Sequence, residues 1–128
     1  MKPLIFILLI LPCYCVKAQE KPRKPWQLFE DADRQFSSGN YRESLALLDE
    51  CLKLNPRYME AYPLRAGARE MLNDLDGALT DYSIYLEENP GHTDVLMSRA
   101  ALRYKLGFYD QAREDFKSLL LLRTGETA

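Results

Sequence analysis

Three observations predict an all-α chain built from stacked helix pairs. Residues recur at a fixed offset of 34 positions: Asn55-Pro56 returns as Asn89-Pro90, Ala32 as Ala66 and Ala100, and Ser44 as Ala78 and Ala112. Between these markers the apolar residues keep three- and four-residue spacing, the period of an amphipathic helix. No alternating run rich in Val, Ile and Thr is long enough to argue for strands. A unit of this length cannot bury its apolar face alone, so successive copies stack into a solenoid with a shared core.

The chain has 128 residues, room for one domain with a modest core and not for two. Its 17 basic and 19 acidic residues nearly balance. No dense Lys/Arg patch lies outside the N-terminal flank, so nucleic acid is not an expected partner.

Residues 1–18 read as a secretory signal peptide. Lys2 supplies the positive end, Leu4 to Val16 an apolar core, and Val16-Lys17-Ala18 a processing site with cleavage after Ala18. The apolar run is shorter than the roughly 20 residues a membrane-spanning helix needs, which argues against a retained anchor. Lipidation at Cys13 is disfavoured by Pro12 before it. Contact with a membrane is therefore expected only in transit, and the chain is expected to be exported, periplasmic or secreted. Cys13 and Cys15 leave with the signal, so Cys51 has no intramolecular disulfide partner. Loss of Lys2 and Lys17 leaves the acids in excess.

Residues 19–24, with Pro22 and three basic side chains, read as a linker. A helical pattern through Leu28, Ala32 and Phe36 stops at Ser37-Ser38-Gly39-Asn40. A second, through Leu45, Leu48, Cys51 and Leu52, stops at Asn55-Pro56. Gly39 frees the tight turn and Pro56 sets the corner into the next pair. The second unit repeats this with Tyr62, Ala66, a turn at Asn73-Asp74, Ala78, Tyr82 and Leu86 before Asn89-Pro90. In the third, Leu96, Ala100, Leu106-Gly107, Ala112, Phe116 and Leu119 follow, and Thr124 stands where the next proline would be. The recurring alanines fall where two helices approach closely.

These residues resemble the tetratricopeptide repeat (TPR) family, whose pattern runs from a bulky residue through a large-small pair, an alanine and an aromatic to a proline. The matching residues are Leu28, Ala32, Gly39, Tyr41, Ser44, Leu48 and Pro56 in the first repeat. They are Tyr62, Ala66, Ala78, Tyr82 and Pro90 in the second, and Leu96, Ala100, Gly107, Tyr109, Ala112 and Phe116 in the third. The resemblance covers residues 25–126 as repeats 25–58, 59–92 and 93–126, and implies a right-handed α-α superhelix. Repeat one departs most: Ser44 replaces the usual alanine, and Asp31 stands where Arg65 and Arg99 do later. Arg65 and Arg99 each precede an acid, Asp81 and Asp115, by 16 residues. The repetition reads as an ion pair within each repeat, worth about 1 kcal/mol or less if exposed.

No catalytic constellation is legible. His92, the only histidine, sits at a repeat boundary and reads as a solvated turn residue without metal-ligand partners. Cys51 reads as a packed thiol, and the glycines are scattered singly rather than gathered in a phosphate loop. No enzyme, metal or cofactor is expected.

The resemblance implies a concave groove lined by the first helix of each pair, which binds a protein or peptide. By repeat position its candidates are Trp26, Phe29, Asp33 and Phe36, then Glu60, Pro63, Gly67 and Glu70, then Asp94, Met97, Ala101 and Tyr104. Aromatic rings beside acids suit an extended peptide with apolar and basic side chains; alternatively Trp26 and Phe29 only pack a terminal helix. Some family members clamp a chaperone tail's terminal carboxylate with Lys, Asn and Arg. Those positions here hold Phe29, Asp33, Leu64, Asp94 and Ser98, so that clamp is absent.

The last helix closes with Leu119-Leu120-Leu121-Leu122. Stacked repeats need a polar terminal cap. This run therefore reads either as an edge open to a partner, to another copy in a homo-oligomer or to a missing continuation of the chain, or as two inward leucines with scattered exposure.

Overall fold

The computed structural model describes residues 21–125; the signal-peptide assignment to 1–18 and the start of the linker lie outside the described residues. Six helices follow in order: α1 (Pro25–Ser37), α2 (Tyr41–Leu54), α3 (Ala61–Met71), α4 (Leu75–Glu88), α5 (Thr93–Lys105) and α6 (Tyr109–Thr124). No strand occurs among the described residues, and no helix there is long and apolar enough to cross a membrane. Each odd-numbered helix packs on the next even-numbered one, and each pair packs on the following pair. The all-α solenoid predicted from the 34-residue offset is the observed fold.

Local chemistry sets each element. Pro25 opens α1, where a missing N–H costs nothing, and the Gln27 side chain accepts from the Lys24 backbone N–H at 2.9 Å. Arg23 reaches Asp31 and Glu50, both at 3.4 Å, so the end of the linker is tied to the first helix pair. The turns inside the pairs need a left-handed residue: Gly39 at φ 80°, Asn73 at φ 65° and Gly107 at φ 84°. Asn73 fills the middle position because its short polar side chain tolerates that conformation. His92 is exposed but does more than border a turn. Its Nδ1 accepts from the Val95 N–H at 3.4 Å as the N-cap of α5, and its ring meets Tyr85 edge-on at 5.3 Å.

The core runs as two clusters. Leu28, Ala32, Leu48, Cys51, Leu52 and Ala61 join the first pair to α3. Ala66, Ala78, Tyr82, Leu86, Val95, Leu96 and Leu102 join the second pair to α5. Ala66, Ala78 and Ala100 are fully buried at the crossings, as close helix approach requires. Cys51 is also fully buried; its Sγ donates to the Pro25 carbonyl at 3.3 Å, and burial pushes the thiol pKa up.

The repeated ion pair differs from its sequence expectation. Asp81 is fully buried, and it accepts from Arg65 Nε and Nη2, each at 2.9 Å, and from Arg69 Nη1 at 2.8 Å. Asp115 repeats this with Arg99 at 3.1 and 2.7 Å and Arg103 at 2.7 Å. These are buried two-arginine clusters, not surface pairs, so the value assigned to an exposed pair does not apply. Burial disfavours the Arg65 guanidinium charge, yet Asp81 and Asp49 outweigh it and raise its pKa. Arg65 Nη1 also reaches Asp49 of the preceding pair at 3.0 Å, so one side chain links two repeats.

Candidate functional site

The groove candidates lie on α1, α3 and α5, the first helix of each pair, except Glu60, which precedes α3 as its N-cap. The structure divides them. Trp26, Met97 and Tyr104 stand exposed at 47%, 49% and 63%, with the exposed acids Asp33, Glu60 and Asp94 among them. Others are engaged within the fold. Phe29 packs against Tyr58 with ring centroids 5.4 Å apart. Phe36 meets Tyr41 edge-on at 5.2 Å and presses against Gly67, where an added Cβ would lie 3.3 Å from the ring. Glu70 accepts from the Tyr82 hydroxyl at 2.6 Å. That burial, with the carboxylate beside it, pushes the Tyr82 phenol pKa up. Pro63 is half-buried and Ala101 exposed. The middle of the row is therefore shallow and closed, and its free side chains concentrate at the two ends.

At the C-terminal end the structure joins two groups that the sequence kept apart. A cleft of about 480 Å³ is lined by Thr93, Asp94 and Met97 of α5 and by Phe116, Leu119, Leu120, Leu122 and Arg123 of α6. A second, of about 400 Å³, continues past Phe116 to Tyr104, Tyr109, Ala112 and Arg113. Of the four leucines only Leu119 turns partly into the core. Leu120, Leu121 and Leu122 remain exposed, with Leu122 over Gly91 at the preceding corner.

Sequence reasoning missed Tyr109, Phe116 and Arg113 as surface residues, although the 34-residue offset places Phe116 at the position of Tyr82. It also missed Arg69 and Arg103, themselves 34 apart. Arg69 lies 3.6 Å from Asp74, whereas Phe108 stands at the corresponding sequence position after Arg103, whose buried Nε has no hydrogen-bond partner among the described residues. No His/Cys/Asp/Glu group among the described residues has metal-holding geometry.

Comparison with known proteins agrees with this architecture. The tetratricopeptide repeat model matches residues 29–93. "DnaJ protein P58IPK homolog B" of Oryza sativa subsp. japonica is 33% identical over 112 residues, which are 87% of this chain and 24% of that protein. The chain thus spans about a quarter of the length of that relative. The first TPR of Spaghetti (RPAP3), solved with the HSP90 peptide SRMEEVD, superposes with a TM-score of 0.71 at 24% identity, over 77% of this chain and 79% of the other. PcrH, solved in complex with the chaperone binding region of PopB, superposes with a TM-score of 0.71 at 19% identity, over 80% and 82%. Three helix pairs with their small residues at the crossings, and the match of residues 29–93, place this chain in the tetratricopeptide repeat family.

Proposed function

We propose that the chain is a non-catalytic adaptor, acting outside the cytoplasm, that binds a protein partner through an extended segment laid along α1, α3 and α5. The observation that carries this is the set of large apolar side chains the fold leaves unused on those helices, Trp26, Met97 and Tyr104, set among the exposed acids Asp33, Glu60 and Asp94. Exposed apolar surface rimmed by one sign of charge suits a segment with apolar and basic side chains. Solved relatives of the same fold hold peptides, which supports a peptide as the ligand class. Their particular ligands do not transfer. An acid-ended peptide such as SRMEEVD would meet Asp33 and Asp94 here, and like charges oppose it.

Trp26 is the only tryptophan, so its fluorescence reports occupancy at one end of the row. A synthetic peptide alternating Leu or Phe with Lys should shift its emission, with affinity falling as salt rises, while SRMEEVD leaves it unchanged. Tighter binding of SRMEEVD, or unaltered affinity after Met97→Ala and Tyr104→Ala, would overturn the reading. Export is tested separately by the mature N-terminus: a chain isolated from its own cells should begin at Gln19, and an intact Met1 in the cytoplasmic fraction would refute it.

A further inference from the structure

The row along α1, α3 and α5 changes character at one repeat position. Residues 36, 70 and 104 stand 34 apart, one on each of these helices, and are Phe36, Glu70 and Tyr104. In the outer two repeats the residue is a ring that leans on the start of the next helix: Phe36 meets Tyr41 edge-on at 5.2 Å, and Tyr104 meets Tyr109 at 5.3 Å. In the middle repeat an acid stands there instead, with Leu75 in place of the tyrosine. Glu70 has a helix pair on each side of its own, so its surroundings do not depend on either end of the chain.

Glu70 is half-buried, and its charge is unspent. Its Oε1 accepts from the Tyr82 hydroxyl at 2.6 Å, while Oε2 has no hydrogen-bond partner among the described residues. The arginines of α3 and α5 are committed elsewhere: Arg65 to Asp49 and Asp81, Arg69 to Asp74 and Asp81, and Arg99 and Arg103 to Asp115. A phenol is a neutral donor, so it orients the carboxylate without balancing it. An oriented, half-buried carboxylate offers an incoming cation more than a solvated one does, because water screens it less and it has less rotamer freedom to lose. The acids Asp33, Glu60 and Asp94 along the same row are exposed and lack that advantage.

The neighbours of Glu70 narrow the choice of cation. Gly67, three residues before it on α3, leaves room for the Phe36 ring, which comes within 3.3 Å of where a Cβ would stand. Side chains three apart on a helix have Cβ atoms about 5–6 Å from one another, so ring and carboxylate are neighbours on the surface. Ala101 stands to Glu70 as Gly67 stands to Phe36, 34 residues on, and adds only an exposed methyl group. A guanidinium is planar and weakly hydrated, so it can lie against a ring and meet a carboxylate at once; an ammonium is a strongly hydrated point charge. We propose that Glu70, with Phe36 beside it, is the specificity-determining residue of the row and takes one arginine side chain of the bound segment. This rests on the extended-segment reading above and adds which acid decides and which basic residue it selects.

The test starts from the alternating Leu/Lys peptide and replaces each lysine in turn by arginine, with affinity for the intact chain measured by calorimetry. At least one member should bind tenfold more tightly than the all-lysine parent. Citrulline at that position, which keeps the shape and removes the charge, should cancel the gain. Glu70→Gln retains an acceptor for the Tyr82 hydroxyl and should keep the melting curve, yet arginine should no longer improve on lysine. Phe36→Leu should shrink the arginine gain, and Asp33→Asn should weaken every member by the same factor. If the parent binds but no arginine improves on it, if the gain survives Glu70→Gln, or if Asp33→Asn abolishes it, the assignment to Glu70 is overturned while the extended-segment reading stands. If no member of the set binds, both are overturned.

Discussion

In the second and third helix pairs a buried aspartate, Asp81 or Asp115, is gripped by two arginines, whereas the first pair has Leu47 at the corresponding place with Asp31 and Gln35 opposite. The backbone arrangement is the same. What differs is how register is enforced. A carboxylate held by a bidentate guanidinium and a second cation tolerates little sliding of one helix on the other, because each displacement leaves charge unpaired in a dry place. The first pair instead relies on shape: Leu28, Leu48 and Cys51 fill the space, and Asp31 turns outward to Arg23 and Arg34. In the second pair the lock also reaches its neighbour: Arg65, bonded to both Asp49 and Asp81, carries it across a repeat boundary.

The contrast can be broken most strongly at Asp81. Replacement by Ala strands Arg65 and Arg69, and since both keep some solvent contact the cost falls at the low end for a broken buried pair, about 3 kcal/mol, read as a lowered urea midpoint. The converse change, Leu47→Asp, places a carboxylate beside Asp31 in a half-buried site without its cations and should cost about 2 kcal/mol. Adding Asp31→Arg and Gln35→Arg should recover most of that loss in a thermal melt; no recovery would show that the first pair cannot accept the lock. Ser44 marks a smaller difference. Its buried Oγ has no hydrogen-bond partner among the described residues, whereas Ala78 and Ala112 occupy the matching places without a polar atom. Ser44→Ala should therefore raise stability by about 1 kcal/mol, measured by chemical denaturation.

At neutral pH the smallest effect belongs to the Tyr82 hydroxyl, at a position where the first pair has Leu48. Burial and Glu70 hold the phenol pKa above its ordinary 10.0, so the folded state favours the protonated form. That contribution is complete below pH 10 and is lost as pH rises through the folded value. Melting temperature should fall more steeply from pH 9 to 11 in the natural chain than in Tyr82→Phe. Parallel slopes would show that Tyr82 does not carry the alkaline sensitivity.

The repeat offset made most of the fold legible, because helix pairs of constant length need small residues, turns and corners at constant places. The α6 terminus shows the same logic in reverse. With Thr124 where Pro56 and Pro90 end their turns, the helix runs on through Thr124 and stops at Gly125 in the left-handed conformation. The groove was less legible. Position in a repeat says which helix face a residue occupies, but Phe29, Phe36 and Glu70 are engaged by Tyr58, Gly67 and Tyr82, contacts set by neighbours far away in sequence.

By itself, then, the sequence determined the number of helix pairs, their turns and the alanines at their crossings, since these are local or periodic requirements of backbone and volume. Only the tertiary structure decided which charges are buried and which apolar side chains remain free. Both depend on whether another helix lies over a residue. Tyr82 and Phe116 occupy the same repeat position, yet one is covered by α5 and the other opens onto a cleft.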